Sequence, residues 1–177
     1  MKSMTEKSSI NNLIITRVFD VPLDVVWEAW SDQEMFKRWW GPKDFIAPHI
    51  SIDFRTGGKF VYCMRGAGPD GIVRDFWNTG KYIEILPMEK IVMTMSFADK
   101  HGEPVPPAHY DMPGEWPNYI TLIVTFESYA DTKSKVTVRE IGIPDVVSEF
   151  ACLGWRQSFD KMTQIVLEES NRIASIV

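Results

Sequence analysis

Cysteine and histidine are scarce in this chain, and their scarcity excludes several kinds of chemistry. Of 177 residues, two are cysteine and three are histidine. Cys63 and Cys152 form no C-x-x-C pair. His49, His101 and His109 make neither H-E-x-x-H nor an H-x-E followed by C-x-x-C. The ligand spacings of the common zinc sites are therefore missing. His101 and His109 lie near Asp99, Glu103 and Asp111, but that spacing matches no ligand set. No local signature of a cysteine nucleophile surrounds either thiol. Each thiol sits in an apolar-rich segment, as buried and reduced sulfurs do.

Other absences narrow the field further. There is no G-x-S-x-G elbow and no G-x-x-x-x-G-K-[ST] loop. Gly66-Ala67-Gly68 leads into a turn and a strand, so it lacks the helix N-terminus that would hold a phosphate. No cofactor and no metal are expected. No apolar run approaches the roughly 18 residues of a membrane span. The opening MKSMTEKSSI lacks the apolar core of a signal peptide. The longest basic run is the pair Lys37-Arg38, and the formal net charge is -5. Nucleic acid, which needs a basic stripe, is not an expected partner. Nor is an anionic membrane surface. A cytoplasmic protein is the expectation.

What remains is ordinary for a globule: 45% hydrophobic and 24% charged residues. A chain of this length buries roughly 70% of its unfolded surface and holds a core without staples. One domain over 12–177 is expected, after a polar tail at 1–11 that reads as disordered.

Residues 12–21 (NLIITRVFDV) read as a strand. Pro22 starts a helix, with Val26, Trp27 and Trp30 at helical spacing. Ser31 or Asp32 caps a second short helix, which Gly41-Pro42 ends. In 44–54 (DFIAPHISIDF) Ile46, Pro48, Ile50, Ile52 and Phe54 share one face. Pro48 there marks an edge strand or a bulge. Thr56-Gly57-Gly58 is a hairpin turn. Strands follow at 59–65, about 72–86, 91–97, 119–127 and 135–141, joined mostly by short turns, so an antiparallel meander is expected. Gly80 is a candidate bulge in the longest of them.

From Asp145 to about Ala174 there is no proline and one glycine, and Trp155, Phe159, Met162, Val166 and Ile173 form a helical stripe. Asp145 is the expected N-cap. Close approach to the sheet is the expected reason for Gly154. The pattern predicts an α+β fold: a curved antiparallel sheet wrapped around a long C-terminal helix, with two short helices after the first strand.

The segments VPLDVVWEAW (21–30) and FKRWWGP (36–42) resemble the family related to the activator of the ninety-kilodalton heat-shock protein's ATPase. That family lies within the START-like, or SRPBCC, helix-grip superfamily. The likeness continues through DFRTGGKF (53–60), GKYIEILP (80–87), IVMT (91–94) and LGWRQSFDKM (153–162). The resemblance implies a cavity between sheet and terminal helix. It therefore implies a small hydrophobic or amphipathic partner, a fatty acid among the candidates. Tyr62, Met64, Trp77, Met93, Met95, Leu122, Val124, Trp155, Phe159 and Met162 are the candidate ligand-binding residues, from the strands and from the helix stripe facing them. The methionines suit a site that adapts to variable ligands, and equally suit core filling. The resemblance also implies two alternatives: a chaperone cofactor that stimulates the heat-shock ATPase, or a cyclase- or hydrolase-type enzyme. Self-association is left open.

No catalytic residue is expected. Glu84, between Ile83 and Ile85, is the candidate interior acid, whose pKa burial would raise. Asp53 with Arg55, and Arg139-Glu140, read as surface charges. Residues 98–117, with five prolines, read as a lid over the sheet mouth or as a surface excursion.

The thiols give a first test. Alkylation under non-reducing conditions followed by mass spectrometry should show both Cys63 and Cys152 modified after denaturation. A mass lower by two hydrogens, with neither thiol alkylated, would show a disulfide instead.

Overall fold

In the computed structural model, which describes residues 11–177, seven segments of branched and aromatic residues pair into one antiparallel sheet. The chain runs β1 (Asn11–Phe19), α1 (Leu23–Ser31), α2 (Gln33–Trp39), β2 (Ile46–Ile52), β3 (Lys59–Ala67), β4 (Val73–Leu86), β5 (Lys90–Ala98), β6 (Ile120–Ser128), β7 (Ser134–Ile143) and α3 (Asp145–Ala174). Asn11 already belongs to β1; the rest of the expected tail lies outside the described residues. β2 to β7 form the expected meander, and β1 pairs with β7, giving the order β1-β7-β6-β5-β4-β3-β2. The sheet curves around α3, with α1 and α2 between β1 and β2: the expected α+β helix-grip arrangement.

The short helices follow from their ends. Pro22 precedes α1 with φ -59° and ψ 157°, so it is the cap residue rather than the first helical one. The Asp32 carboxylate accepts from the Met35 amide at 2.8 Å and caps α2. α2 ends at Trp39, where Trp40 turns extended ahead of Gly41-Pro42. The Trp39 indole N–H donates to the Ala29 carbonyl at 2.7 Å, locking α2 against α1. Trp30 and Phe36 pack on Trp39 with ring centroids 4.8 Å away.

Local expectations change in five places. β2 is an edge strand, and its register shifts between Ile46 and His49, so Ala47 is buried while Ile46 is 62% exposed. Both readings of Pro48 hold together, because a bulge re-aims the residues on one side of it. β4 has its irregularity at Ile83, between Tyr82 and Glu84, not at Gly80. Gly80 is instead a point of close strand approach: a Cβ there would lie 1.7 Å from the Thr94 carbonyl oxygen. α3 is capped by Pro144, and Asp145 is its first residue. Its stripe of Trp155, Phe159, Met162 and Val166 is buried, but Ile173 is 40% exposed. Gly154 meets no strand; its nearest contact is the Pro42 ring, at 3.5 Å from a built Cβ.

The two glycines should respond oppositely to alanine. Gly80→Ala must force β4 from β5 and should cost about 2–3 kcal/mol or more. Gly154→Ala finds ordinary contact distance and gains helix propensity, so it should stabilise by up to about 1 kcal/mol. Urea unfolding of both variants checks this. Equal effects would show that the strands open freely at Gly80.

Candidate ligand-binding site

α3 fills the sheet with its second half and leaves a space under its first. From Phe159 onward the inward side chains are large: Phe159, Met162, Ile165 and Val166. From the start of the helix to the turn around Trp155, the stripe Val147, Ala151, Gly154 and Ser158 is made mostly of small residues. They do not reach the sheet, and a cavity of about 200 Å³ lies between. Its floor comes from Met64, Asn78, Met95, Ile120 and Glu140, one from each strand from β3 to β7. Phe150 and Tyr119, 64% and 57% exposed, mark its mouth.

Two loops close the sides. One is Trp40-Gly41-Pro42, held to α3 by hydrogen bonds. The Lys161 ammonium donates to the Phe45 carbonyl at 3.1 Å, and the Lys43 amide donates to Gln157 Oε1 at 3.1 Å. The other is the proline-rich segment, which contributes Val105, Pro107, Met112 and Trp116. It is neither a free excursion nor structureless. A 3₁₀ turn spans Pro107–Tyr110, and Ala98 pairs with Pro104. The Tyr110 hydroxyl donates to the Ala98 carbonyl at 2.6 Å and accepts from the Trp77 amide at 3.1 Å. The Trp116 ring packs on Phe97 at 5.1 Å.

Among the described residues one group of formal charge faces this space. In β7 the inward residues are Ser134, Val136, Val138 and then Glu140, at 5% exposure. The Trp155 indole N–H donates to Glu140 Oε2 at 3.1 Å. Burial pushes the Glu140 carboxyl up to about 7, and the indole hydrogen bond opposes part of that rise. Among the described residues no Lys, Arg or His lines the cavity. The other polar groups are neutral: the Asn78 amide donates to the Ser96 carbonyl at 3.4 Å, and the Ser158 hydroxyl to the Gly154 carbonyl at 2.9 Å.

The sequence candidates divide into three groups. Met64, Met95 and Trp155 line the cavity. Tyr62, Met93, Leu122, Val124, Phe159 and Met162 are at most 2% exposed and lie in the solid core instead. There the Tyr62 and Tyr82 hydroxyls bond to each other at 2.9 Å. Trp77 is on the opposite face of the sheet, against His49 at 5.4 Å. Its register partners are Cys63 and Ala98, whose parity points away from α3. Cys63 is buried there, and burial pushes its thiol up to about 11, which makes it a poor nucleophile.

The interior acid is Glu140, which was expected among the surface charges, and not Glu84. The irregularity at Ile83 turns Glu84 to the surface, where it pairs with Lys90 at 2.5 Å. Glu140 was readable by continuing the alternation of Val136 and Val138 by one step, since period two carries it onto the same face.

The model of the family described as "Activator of Hsp90 ATPase homolog 1-like protein" matches residues 20–167. No curated protein matches the chain. Among solved structures, a protein from Chromobacterium violaceum is 24% identical, with a TM-score of 0.70 over 88% of this chain and 96% of that one. A protein from Arthrobacter aurescens is 24% identical, with a TM-score of 0.68 over 90% and 91%. An AHSA1 protein from Silicibacter pomeroyi is 17% identical, with a TM-score of 0.70 over 90% and 99%. At these identities the likeness is one of fold. Among the described residues no helix is long and apolar enough to cross a membrane.

Glu140 makes stability depend on pH. Its folded pKa lies above the ordinary carboxyl value, so the native state holds the proton longer than the unfolded chain. Stability should therefore fall as pH rises from about 5 to 8, by up to about 3 kcal/mol. Glu140→Gln should flatten that slope and melt higher than the wild type at about pH 8. A slope unchanged in the variant would show that Glu140 ionises freely in the fold.

Proposed function

The chain belongs to the family of Activator of Hsp90 ATPase homolog 1-like proteins, and on that premise we propose that it binds a small, largely apolar molecule between α3 and the sheet. The observation that carries this reading is the cavity of about 200 Å³ beneath the small residues of α3. Protein interiors normally close to crystal-like density, so a space of this size between helix and sheet is a feature of the fold. Binding sites for small molecules are mostly apolar with a few placed polar groups. This cavity has that composition, with Met64, Met95, Ile120 and Trp155 around Glu140 and Asn78. Its volume suits a single ring or a short chain.

A second reading rests on Glu140 itself. A carboxyl held near neutral pKa suits general acid–base work. The superfamily's cyclase- and hydrolase-type chemistry would use it as the proton carrier. Turnover of a bound compound, lost in Glu140→Gln with affinity retained, would favour that reading.

Binding is tested with phenethyl alcohol, a neutral probe of suitable size, followed by calorimetry and by tryptophan emission. Trp40, Trp116 and Trp155 line the space and should report it. A dissociation constant in the micromolar range is expected, roughly -8 kcal/mol at 1 μM. Ala151→Trp should fill the cavity and weaken the probe by at least roughly tenfold while leaving the melting temperature in place. Wild-type affinity in Ala151→Trp would put the probe elsewhere on the protein.

A further inference from the structure

The cavity has an uneven charge balance that selects among small apolar molecules. Among the described residues its lining holds one carboxylate and no cationic side chain. The acid is built in rather than incidental: Glu140 is 5% exposed and fixed by Trp155, which bonds only its Oε2. Across the space stand neutral groups: Asn78 and Ser96 on the floor, Ser158 on α3 and the Tyr119 phenol at the mouth. A buried carboxylate without a counter-charge is costly and becomes favourable when a cation joins it. The walls add to that preference. Trp40, Phe97, Trp116 and Trp155 present aromatic rings to the cavity, and aromatic faces attract cations.

Resting on the reading of the cavity as a binding site, we propose that it selects small apolar amines. The protonated nitrogen pairs with Glu140, and an aromatic or short aliphatic body fills the space beside Met64 and Met95. The proposal runs against a fatty acid or any other carboxylate, whose head would meet Glu140 with like charge and no compensating cation. An amine binds the ionised form of Glu140, so binding below neutral pH expels a proton from the protein. A neutral alcohol can bond either form and releases none.

Three probes of one size separate the outcomes in calorimetric titrations: phenethylamine, phenethyl alcohol and phenylacetate. The amine should bind at least roughly tenfold tighter than the alcohol, as a charge-assisted bond does over a neutral one, with phenylacetate weakest. At about pH 6, titrations in buffers of different ionisation enthalpy should show close to one proton released with the amine and none with the alcohol. Glu140→Gln should remove the preference for the amine over the alcohol. An alcohol that binds as well as the amine, or a preference that survives Glu140→Gln, overturns the amine selectivity and leaves the cavity reading standing. Should Glu140→Gln fail to fold, proton release on the wild type decides. If none of the three probes binds, both readings fall.

Discussion

Trp155 stands where the solid half of the molecule meets its hollow half. Its ring stacks on Trp30 at 6.2 Å, meets Trp40 edge-on at 5.6 Å and touches Phe159 at 5.7 Å. Its indole N–H bonds Glu140 on the sheet. One side chain thus ties α3 to α1, to the loop after α2 and to β7. On its C-terminal side the helix packs with Phe159, Met162 and Val166; on its N-terminal side small residues leave the cavity. Without this residue the carboxylate would lose the hydrogen bond it has from the described residues, and the cavity would lose its inner wall.

The cavity is maintained by what surrounds it rather than by its own contacts. Lys161 and Gln157 reach from α3 to carry the Trp40–Phe45 wall. Tyr110 ties the proline-rich wall to the ends of β4 and β5. Prolines stiffen that wall further by fixing their own φ angles. A preformed pocket of this kind needs little ordering when a ligand arrives, which leaves more of the contact energy for affinity. The buried acid fits the same logic. Its desolvation weakens the empty fold and is offset when a partner of opposite charge enters, so stability and ligand choice are two faces of one interaction.

Much of the fold was legible in the residues. Period two in the strands, the helical stripe from Trp155 to Val166 and the Gly41-Pro42 stop each express a local rule, and each appears in the structure. The candidate site was less legible. Met64, Met95 and Trp155 line the space, yet Tyr62, Met93, Leu122 and Met162, on the same inward faces, do not. Parity says which face a side chain takes; it does not say how far along the helix the packing stays closed. Trp77 and Glu84 went to the other face for a related reason. Strand β4 gives no clean alternation, and the slip of one residue at Ile83 sits where no glycine marks it.

By itself the sequence determined the order of elements and the inward face of most strands. Those properties depend on neighbours two to four residues away, which the chain itself carries. Only the tertiary structure decided that Ala151, Gly154 and Ser158 line one cavity together with Glu140 and Asn78. It also decided that the proline-rich segment closes the side and that, among the described residues, no basic side chain lines the cavity beside the acid. A cavity is a property of facing surfaces, and the surfaces that make this one come from segments as far apart as Trp40 and Ser158.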